Sequence, residues 1–209
     1  GGTNTVTGLA AAWIDSTPVI FLSGQVKRSD RIGGSGVRQM GSQEVDIVPV
    51  VAPLTKFAVT IMDPAEIRCA LEKAYHLAMH GRRGPVWIDI PLDVQAAEIE
   101  PSELRGFVPA EEHEDVPASI LAEIKERIAA AKRPVLLAGN GVKAAGAEAA
   151  LHKLREKTGI PTLLTWKTID MLGFDDPQYF GTPGGMGHRY ANFVLQLSLI
   201  HISEPTRRT

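Results

Sequence analysis

The stretch Arg133–Gly141, with the sequence RPVLLAGNG, decides the fold of this chain. It is a short aliphatic run that ends in a glycine turn, which is typical of a strand buried in a parallel sheet. A helix-like segment at residues 144–157 follows, and Ile160–Thr165 (IPTLLT) repeats the strand pattern. Two strands joined through a helix by short turns predict a βαβ unit with parallel strands.

The same alternation extends toward the N-terminus. Pro18–Leu22 and Pro85–Pro91 are further apolar strand patterns, and Lys56–Ile61 alternates enough to be a short strand. Asn4 is a good N-cap for a helix whose apolar residues reach Ile14. Asp63-Pro64-Ala65-Glu66 is a strong helix start, with an Asp cap, Pro at the first helical position and an acid in the first turn.

The composition changes between Leu92 and Pro117, where eight acidic residues face one base, Arg105. Three prolines punctuate the segment, so we predict an extended, solvated linker. The predicted fold class is α/β, with parallel-sheet α/β/α units of three layers. The predicted division is a first domain at 1–95, a linker at 96–116 and a second domain at 117–196, both domains incomplete.

Composition excludes several classes of protein. The chain has 209 residues and a formal net charge of −2, which gives no electrostatic reason to expect nucleic acid or a membrane surface as a partner. No apolar run approaches the roughly 20 residues that a membrane-spanning helix needs. A single cysteine, Cys69, excludes an internal disulfide and fits a reducing compartment, so we expect a cytoplasmic location.

Three features could carry chemistry, and each has a plain structural alternative. The turn Gly139-Asn140-Gly141 lies between a strand and a helix and could present backbone N–H groups to a phosphate, but it lacks the dinucleotide-binding spacing and could equally be a tight turn. The loop Gly184–Arg189 permits close approach of a ligand or is simply a connection. Gln25 follows a strand at the end where ligands bind to parallel sheets, or it is a turn residue.

A metal site is not predicted. His76 and His80 share a helix face, but no Glu follows His76 as the zinc-protease motif requires. Cys69 has no activating neighbour in sequence and is expected to be a small buried apolar residue. From the residues alone, the sequence predicts an α/β protein with a phosphate or nucleotide ligand as one alternative, and the reaction stays open.

Several stretches in the first half resemble thiamine diphosphate-dependent enzymes of the acetolactate synthase group. Gly1–Gly8 (GGTNTVTG) resembles the end of their GPGxTN-x-VTG segment, and Ser23–Val26 (SGQV) resembles their TGQV segment. Gln43–Ile47 (QEVDI) and Lys56 match the QEVDI and TK motifs of that group. Gly81–Gln95 (GRRGPVWIDIPLDVQ) resembles the GRPGPVLIDIPKDVQ that ends the pyrimidine-binding domain.

The second half resembles the first part of the central domain of the same enzymes. The similar stretches are Pro134–Gly146, Gly159–Trp166 and Gly184–Asn192, and all motifs occur in the order of the family. The loop Val26–Gly41 (VKRSDRIGGSGVRQMG) differs from the shorter loop of true acetolactate synthases. The resemblance covers nearly everything up to Gln196.

The resemblance implies an enzyme that decarboxylates or joins 2-oxoacids, a lyase or transferase such as those of branched-chain amino acid biosynthesis. Thiamine diphosphate and Mg²⁺ would be its cofactors, with Gly2, Thr3 and Asn4 as cofactor-binding residues at the cofactor edge of the pyrimidine-binding domain. Gln25 would face the substrate and Lys56 would line the substrate entrance. The glutamate that protonates the ring and the GDG…N motif that holds Mg²⁺ do not occur in this chain, so no residue here is predicted to bind the metal.

In members of the family that contain FAD, the central domain cradles it. The contacts would be three segments, each at the end of a predicted strand or in a glycine loop: Gly139, Asn140, Gly141; Thr165, Trp166, Lys167; Gly185, Met186, Gly187, His188. The complete enzyme would be a homodimer or homotetramer whose active sites are shared between two subunits. The rival hypothesis is a module that binds FAD or another nucleotide without catalysis.

Both ends of the sequence carry their own expectations. The chain begins Gly1-Gly2-Thr3 without Met, so we expect a fragment of a longer protein that is inactive alone. Residues 197–207 (LSLIHISEPTR) do not resemble the family and resemble a translated sequencing adapter, so 197–209 is predicted to be a non-native tail.

Overall fold

The computed structural model describes residues 1–110 and 116–198, together with the backbone of 200–203. These residues fall into two compact units, one on each side of residues 111–115. Each unit contains a three-stranded parallel sheet with helices against it. The predicted α/β class with parallel sheets is therefore confirmed.

The first unit has its strands in the order β1-β3-β2. β3 is the central strand because its sequence is apolar on both faces, which is typical of buried parallel strands. The elements of this unit are α1 Val6–Ile14, β1 Ile20–Gln25, α2 Ile47–Val51, β2 Ala58–Thr60, α3 Ile67–Met79, β3 Val86–Pro91 and α4 Leu92–Gln95.

Helices cover both faces of β3. Val86 and Ile88 pack against α3, which presents the small residues Ala70, Ala74 and Ala78 at a spacing of four. On the other face, Trp87 packs with Leu9 of α1 and with apolar residues of α2. Residues at odd positions of β3 therefore face α1 and α2, and Asp89 lies on that same face.

The second unit has the strand order β5-β4-β6. One face of its sheet packs on Leu151 of α7, and the other packs on Ala191 of α8. The elements are α5 Ala118–Ala130, β4 Pro134–Ala138, α6 Asn140–Ala144, α7 Glu148–Thr158, β5 Thr162–Leu164, α8 Arg189–Leu197 and β6 Ile200–Ser203.

Two helix predictions need correction. Asn4 does not cap α1: it lies inside a 3₁₀ turn, Gly2–Thr5, that leads into the helix. The helix predicted at 144–157 begins later, as α7 at Glu148, and a separate short helix, α6, precedes it, because Gly146 adopts a positive φ of 62° between the two. The turn predicted at Gly139–Gly141 is consequently the first turn of α6, with Gly139 before it.

The strands and the start of α3 agree better with expectation. β1, β2, β4 and β5 overlap the predicted strands with ends that differ by up to three residues. Asp63 caps its helix as predicted, because its Oδ1 accepts a hydrogen bond of 3.0 Å from Ala65 N. α5 forms as predicted, yet it has no buried residue within the described chain.

Part of the predicted linker contacts the first unit. Phe107 N donates to Glu72 Oε2 at 2.7 Å, and Arg68 Nη1 donates to the Leu104 carbonyl at 3.3 Å. Leu104 and Phe107 are therefore held against α3. Residues 111–115, four of which are acidic, lie outside the described residues, so the predicted linker at 96–116 stays a prediction.

The predicted tail is described only in part. The backbone of Ile200–Ser203 pairs in parallel with β4, with Pro134 opposite Ile200. Residues 199 and 204–209 lie outside the described residues. The non-native origin predicted for 197–209 therefore stays a prediction.

Candidate functional site

The candidate site of the first unit is the carboxyl edge of its sheet, where ligands bind in parallel α/β proteins. β1 ends at Gln25, which lies opposite Pro91 at the end of β3. Thr60 at the end of β2 lies opposite Asp89. Gly2 lies over the same strands, since a Cβ at Gly2 would be 3.8 Å from Ser23 Cβ and 3.6 Å from Trp87 Cζ2.

Asp89 is the centre of this edge. It is 1% exposed, and three side chains donate to its carboxylate: Ser23 Oγ at 2.6 Å, Gln25 Nε2 at 3.1 Å and Thr60 Oγ1 at 3.4 Å. Trp87 Nε1 in turn donates to Ser23 Oγ at 2.8 Å. A buried carboxylate needs such donors to offset its lost hydration. Sequence reasoning missed Asp89, although an acid inside an apolar strand was a signal for it.

A second carboxylate shapes the loop that follows β1. Glu44 is buried, and its two oxygens accept hydrogen bonds from Ile32 N at 2.6 Å and from Met40 N and Gly41 N at 3.1 Å each. Burial raises the pKa of Glu44, but these N–H groups and the Arg31 guanidinium lower it more, so the net pKa lies below the usual value. The loop that departs from the family is thus folded around Glu44.

Further contacts hold this loop to the sheet edge. Arg28 makes two hydrogen bonds with Asp93 of α4, from its backbone N at 3.0 Å and from Nε at 2.6 Å. The Arg28 side chain holds the pKa of Asp93 below its usual range. Gly41 is required for close packing, since a Cβ there would lie 2.8 Å from Val26 Cγ1. The wall beside Gln25 is therefore preformed.

Lys56, the other predicted catalytic residue, lies at the opposite edge. Its backbone N donates to the carbonyl of Pro85, just before β3 begins, whereas Gln25 pairs with Pro91 at the end of β3. The six residue steps from Pro85 to Pro91 correspond to roughly 20 Å along a strand. Lys56 Nζ donates to the His80 carbonyl at 2.6 Å, and partial burial lowers its pKa. The structure does not bring Lys56 and Gln25 together within the unit.

Two of the predicted cofactor segments of the second unit meet at its carboxyl edge. Gly139 follows β4, and Thr165 follows β5 with its N–H bonded to the Ala138 carbonyl at 3.0 Å. Thr168 Oγ1 donates to that same carbonyl at 3.1 Å. Trp166 is 59% exposed beside this turn. The edge presents backbone groups and an exposed aromatic ring.

The third segment, Gly185–His188, is joined to this edge through the chain before it. Leu164 N donates to the Gly181 carbonyl, and Thr182 N donates to His188 Nδ1 at 3.0 Å. The turn is closed on itself, since a Cβ at Gly187 would lie 2.2 Å from the Thr182 carbonyl oxygen. Glycine at 187 is therefore explained by the turn itself, while Met186 is 86% exposed.

An apolar cavity lies behind the Gly139 turn. It has a volume of about 300 Å³ and is lined by residues 136–138 of β4, by Gly139, and by residues of α6, α7 and the turn between them. Every lining side chain is aliphatic, so the cavity offers no polar group to orient a ligand. It adds no chemistry to the edge.

Other predictions about reactive groups can now be placed. The described residues contain no group of three His, Cys, Asp or Glu side chains that could hold a metal ion. The rings of His76 and His80 stack at 3.7 Å on α3. Cys69 is a half-buried free thiol, so it is less buried than predicted. No helix in the described part of the chain is long and apolar enough to cross a membrane.

The fold defines an α/β protein with parallel sheets, and comparison with known proteins specifies its family. Residues 121–198 match the family model described as thiamine pyrophosphate enzyme, central domain. The resemblance indicated by the motifs is thereby confirmed: the chain is related over most of its length to acetolactate synthase large subunits.

Three relatives illustrate the match. The acetolactate synthase of Arthrospira platensis is 37% identical over 211 residues, which cover 96% of this chain and 35% of that protein. The isozyme 1 large subunit of acetolactate synthase from Escherichia coli (strain K12) is 37% identical and covers 94% of this chain and 34% of that protein. Glyoxylate carboligase of Escherichia coli O157:H7 is 35% identical over 207 residues, which cover 94% of this chain and 32% of that protein.

The chain thus spans about a third of the length of the curated relatives it matches. These relatives are named as enzymes, a synthase and a carboligase, and give no support to the alternative of a non-catalytic FAD- or nucleotide-binding module. The individual site residues predicted from the sequence stay predictions.

Proposed function

We propose that this chain is part of a thiamine diphosphate-dependent enzyme that acts on 2-oxoacids in the manner of acetolactate synthase. The observation that carries the proposal is the match to acetolactate synthases and glyoxylate carboligase over more than nine-tenths of the chain. When bound, the cofactor supplies a carbanion that attacks the 2-oxo group.

The first unit would hold the aminopyrimidine ring at its carboxyl edge. Gly2, Thr3 and Asn4 lie in the 3₁₀ turn over this edge, and Gln25 ends the neighbouring strand. The fit rests on a polar, hydrogen-bonded edge that excludes water from Asp89 and leaves the turn residues Thr3 and Asn4 exposed to a ligand. A contact from Lys56 to a substrate would have to come from the other edge of the unit.

The second unit would serve as the central domain, at 117–196. If the complete protein binds FAD, the flavin would lie along Gly139–Gly141, Thr165–Lys167 and the exposed part of Gly185–His188. Mg²⁺ would be bound by residues other than those described here, which offer no cluster of ligands. The complete protein would form a homodimer or homotetramer in the cytoplasm.

A chimera tests this function directly. Residues 1–198 would replace the matching segment of the Arthrospira platensis synthase, with the unchanged synthase as control. We expect pyruvate consumption that requires both thiamine diphosphate and Mg²⁺, and we expect none from the 209-residue chain alone. A folded chimera that binds thiamine diphosphate but consumes neither pyruvate nor glyoxylate would contradict the proposal.

A further inference from the structure

His188 closes the glycine turn of the second unit by two hydrogen bonds with a single residue, Thr182. Its backbone N donates to the Thr182 carbonyl at 2.8 Å, and its Nδ1 accepts from Thr182 N at 3.0 Å. Thr182 is buried, and Nδ1 is the acceptor that the described chain offers to its backbone N–H. A backbone N–H only donates, so Nδ1 carries no proton and the neutral ring holds its proton on Nε2.

The imidazole has little room to adjust if it gains a second proton. A Cβ at Gly181 would lie 2.8 Å from His188 Nδ1 and 2.8 Å from Tyr190 Cε2, so the ring is close to the backbone there. Tyr190 stacks on the ring at 5.1 Å between centroids, and Phe174 meets its edge at 6.5 Å. Rotation of the ring by half a turn would replace Nδ1 with a carbon atom, so a flip does not restore an acceptor for Thr182 N.

The charged groups nearest His188 along the chain do not pair with it. Arg189 places its guanidinium over the Phe193 ring, 5.7 Å from the centroid. Asp175 lies against Gly173, where a Cβ would be 2.6 Å from the carboxylate Oδ1. No carboxylate in the described part of the chain forms an ion pair or a hydrogen bond with the imidazole, so no such counter-charge holds an imidazolium in this position.

A second clamp on the same turn does not involve a titratable group. Asn192 Oδ1 accepts from Gly184 N at 2.8 Å, and Asn192 Nδ2 donates to the Gly184 carbonyl at 3.1 Å. A carboxamide neither gains nor loses a proton near neutral pH. The turn before α8 is thus held by one side chain that can titrate and by one that cannot.

We propose that His188 is a pH-sensitive latch of the turn Thr182–His188, closed while the imidazole is neutral and open once it is protonated. Histidine is the side chain whose charge changes between about pH 5 and 8. An imidazolium has two N–H donors and no acceptor, so protonation sets a donor against Thr182 N–H and leaves that buried group unpaired. The latch therefore stabilises the closed turn at higher pH, and this contribution is lost as the pH falls.

The latch links pH to the shape of one edge of the second unit. Gly185–Gly187 lie within the turn, so its opening moves the segment that the turn brings to the carboxyl edge. The inference rests on contacts within this unit alone. It goes beyond the proposed function and does not depend on it.

Amide hydrogen exchange of the ¹⁵N-labelled 209-residue chain tests the latch. Exchange is compared at about pH 5.5 and about pH 7.5, after correction for the chemical exchange rate of a free amide. We expect the protection of Thr182 N–H to fall about tenfold at the lower pH, because local opening exposes it. Phe180 N, which donates to the Thr162 carbonyl at 2.8 Å, is the internal control and should keep its protection. Equal protection of Thr182 at both pH values would overturn the proposal.

Three substitutions separate the latch from the general stability of the unit. His188→Asn offers an amide oxygen in place of Nδ1 and is not protonated in this range, so Thr182 should stay protected at both pH values. His188→Leu has no acceptor, so Thr182 should be weakly protected at both. His152→Asn, at an exposed histidine of the same unit, should keep the pH dependence of the parent. PH dependence that persists in His188→Asn would show that another group titrates, and the proposal would be wrong.

The position of the ring proton gives a test that needs no substitution. ¹⁵N NMR of the His188 side chain at about pH 7.5 should show a proton on Nε2 and none on Nδ1. A proton on Nδ1 would overturn the proposal, because Thr182 N would then lack this acceptor in the neutral state. Asn192→Ala is the control for a turn that is loosened without titration, and it should lower the protection of Gly184 N–H equally at both pH values.

Discussion

Asp89 in the first unit and Arg155 in the second are both charged, nearly inaccessible and hydrogen-bonded, yet they lie at opposite ends of their sheets. Asp89 is 1% exposed near the carboxyl ends of β1, β2 and β3, where its partners are Ser23, Gln25 and Thr60. Arg155 is 3% exposed and donates to Thr162 Oγ1 at 3.0 Å, at the amino end of β5. The two residues bury charges of opposite sign at opposite ends of their sheets.

The difference in position separates two roles for a buried charge. Ligands of parallel sheets bind at the carboxyl ends of the strands. Asp89 and its partners Ser23, Gln25 and Thr60 lie at that end, so they can orient a bound group. The Arg155 cluster joins α7, β5 and Asp176 at the end where ligands are not bound, and Arg155 Nη2 donates to Asp176 Oδ1 at 2.7 Å. We therefore expect substitutions at Asp89 to affect both stability and the site, and those at Arg155 and Asp176 to affect stability alone.

The largest effect is expected for Asp89→Ala. The change strands three donors in the core and leaves a small cavity, which should lower the free energy of unfolding of the first unit by about 3 kcal/mol. Asp89→Asn should lose less, about 1 kcal/mol, since an acceptor remains. Urea denaturation measures both values, and equal losses in the two variants would contradict the network that we describe.

Asp176→Asn should have the next largest effect. It leaves the buried Arg155 guanidinium without its counter-charge, but Asp176 itself is 25% exposed, so we expect a loss of about 2 kcal/mol. The NMR signals of the Gln25 side-chain NH₂ group should not change. The double variant Arg155→Met with Asp176→Leu is the control: it removes both charges and should be more stable than Asp176→Asn alone.

The pH dependence of the same pair sharpens this expectation. The Arg155 hydrogen bond holds the pKa of Asp176 below its usual value of 3.8, although burial opposes the shift. A lowered carboxyl pKa contributes stability that is present above 3.8 and is lost as the pH falls through the pKa of the folded state. The stability difference between the parent and Asp176→Asn should therefore narrow below this pH, and a constant difference would contradict the ion pair.

The strands could be predicted from the sequence, because short aliphatic runs next to glycine and proline leave few alternatives. PVWIDIP at 85–91 predicted the central strand of the first sheet, and RPVLLAGNG at 133–141 that of the second. α5 shows the limit of the same reasoning. Its apolar stripe predicts a helix, but Ile120, Leu121 and Ile124 are each more than 40% exposed, because periodicity does not show what a face packs against.

The candidate site was harder to predict than the strands. Motif resemblance located Gly2–Asn4 and Gln25 at one edge, and the structure places Gly2 beside the cluster that contains Gln25. The partners of Gln25 could not be predicted, because Asp89 and Val45 lie 64 and 20 residues away along the chain. Lys56 was placed by motif alone, and strand register was needed to assign it to the opposite edge.

Glu44→Gln tests whether a buried acid outside the sheet, like Asp89, stabilises its surroundings by accepting several hydrogen bonds. The substitution puts an NH₂ group against backbone donors from Ile32, Met40 or Gly41, so the loop around it should open more often. Trypsin should then cleave after Arg31 and Arg38 about tenfold faster, since local opening controls cleavage. Glu98→Gln, at an exposed acid of the same unit, should leave the rate unchanged.

Glu123→Gln should have the smallest effect, because it removes a charge that is not buried at all. Glu123 and Arg127 form an i,i+4 pair on α5 at 2.7 Å, with side chains 58% and 69% exposed. Water and salt screen such a pair, so the loss of unfolding free energy should be about 0.3 kcal/mol and should shrink further in 1 M salt, where the Debye length is about 3 Å. A loss near that of Asp176→Asn would mean that burial does not set the energetic difference between these charges. Denaturation of both variants at low and high salt makes the comparison.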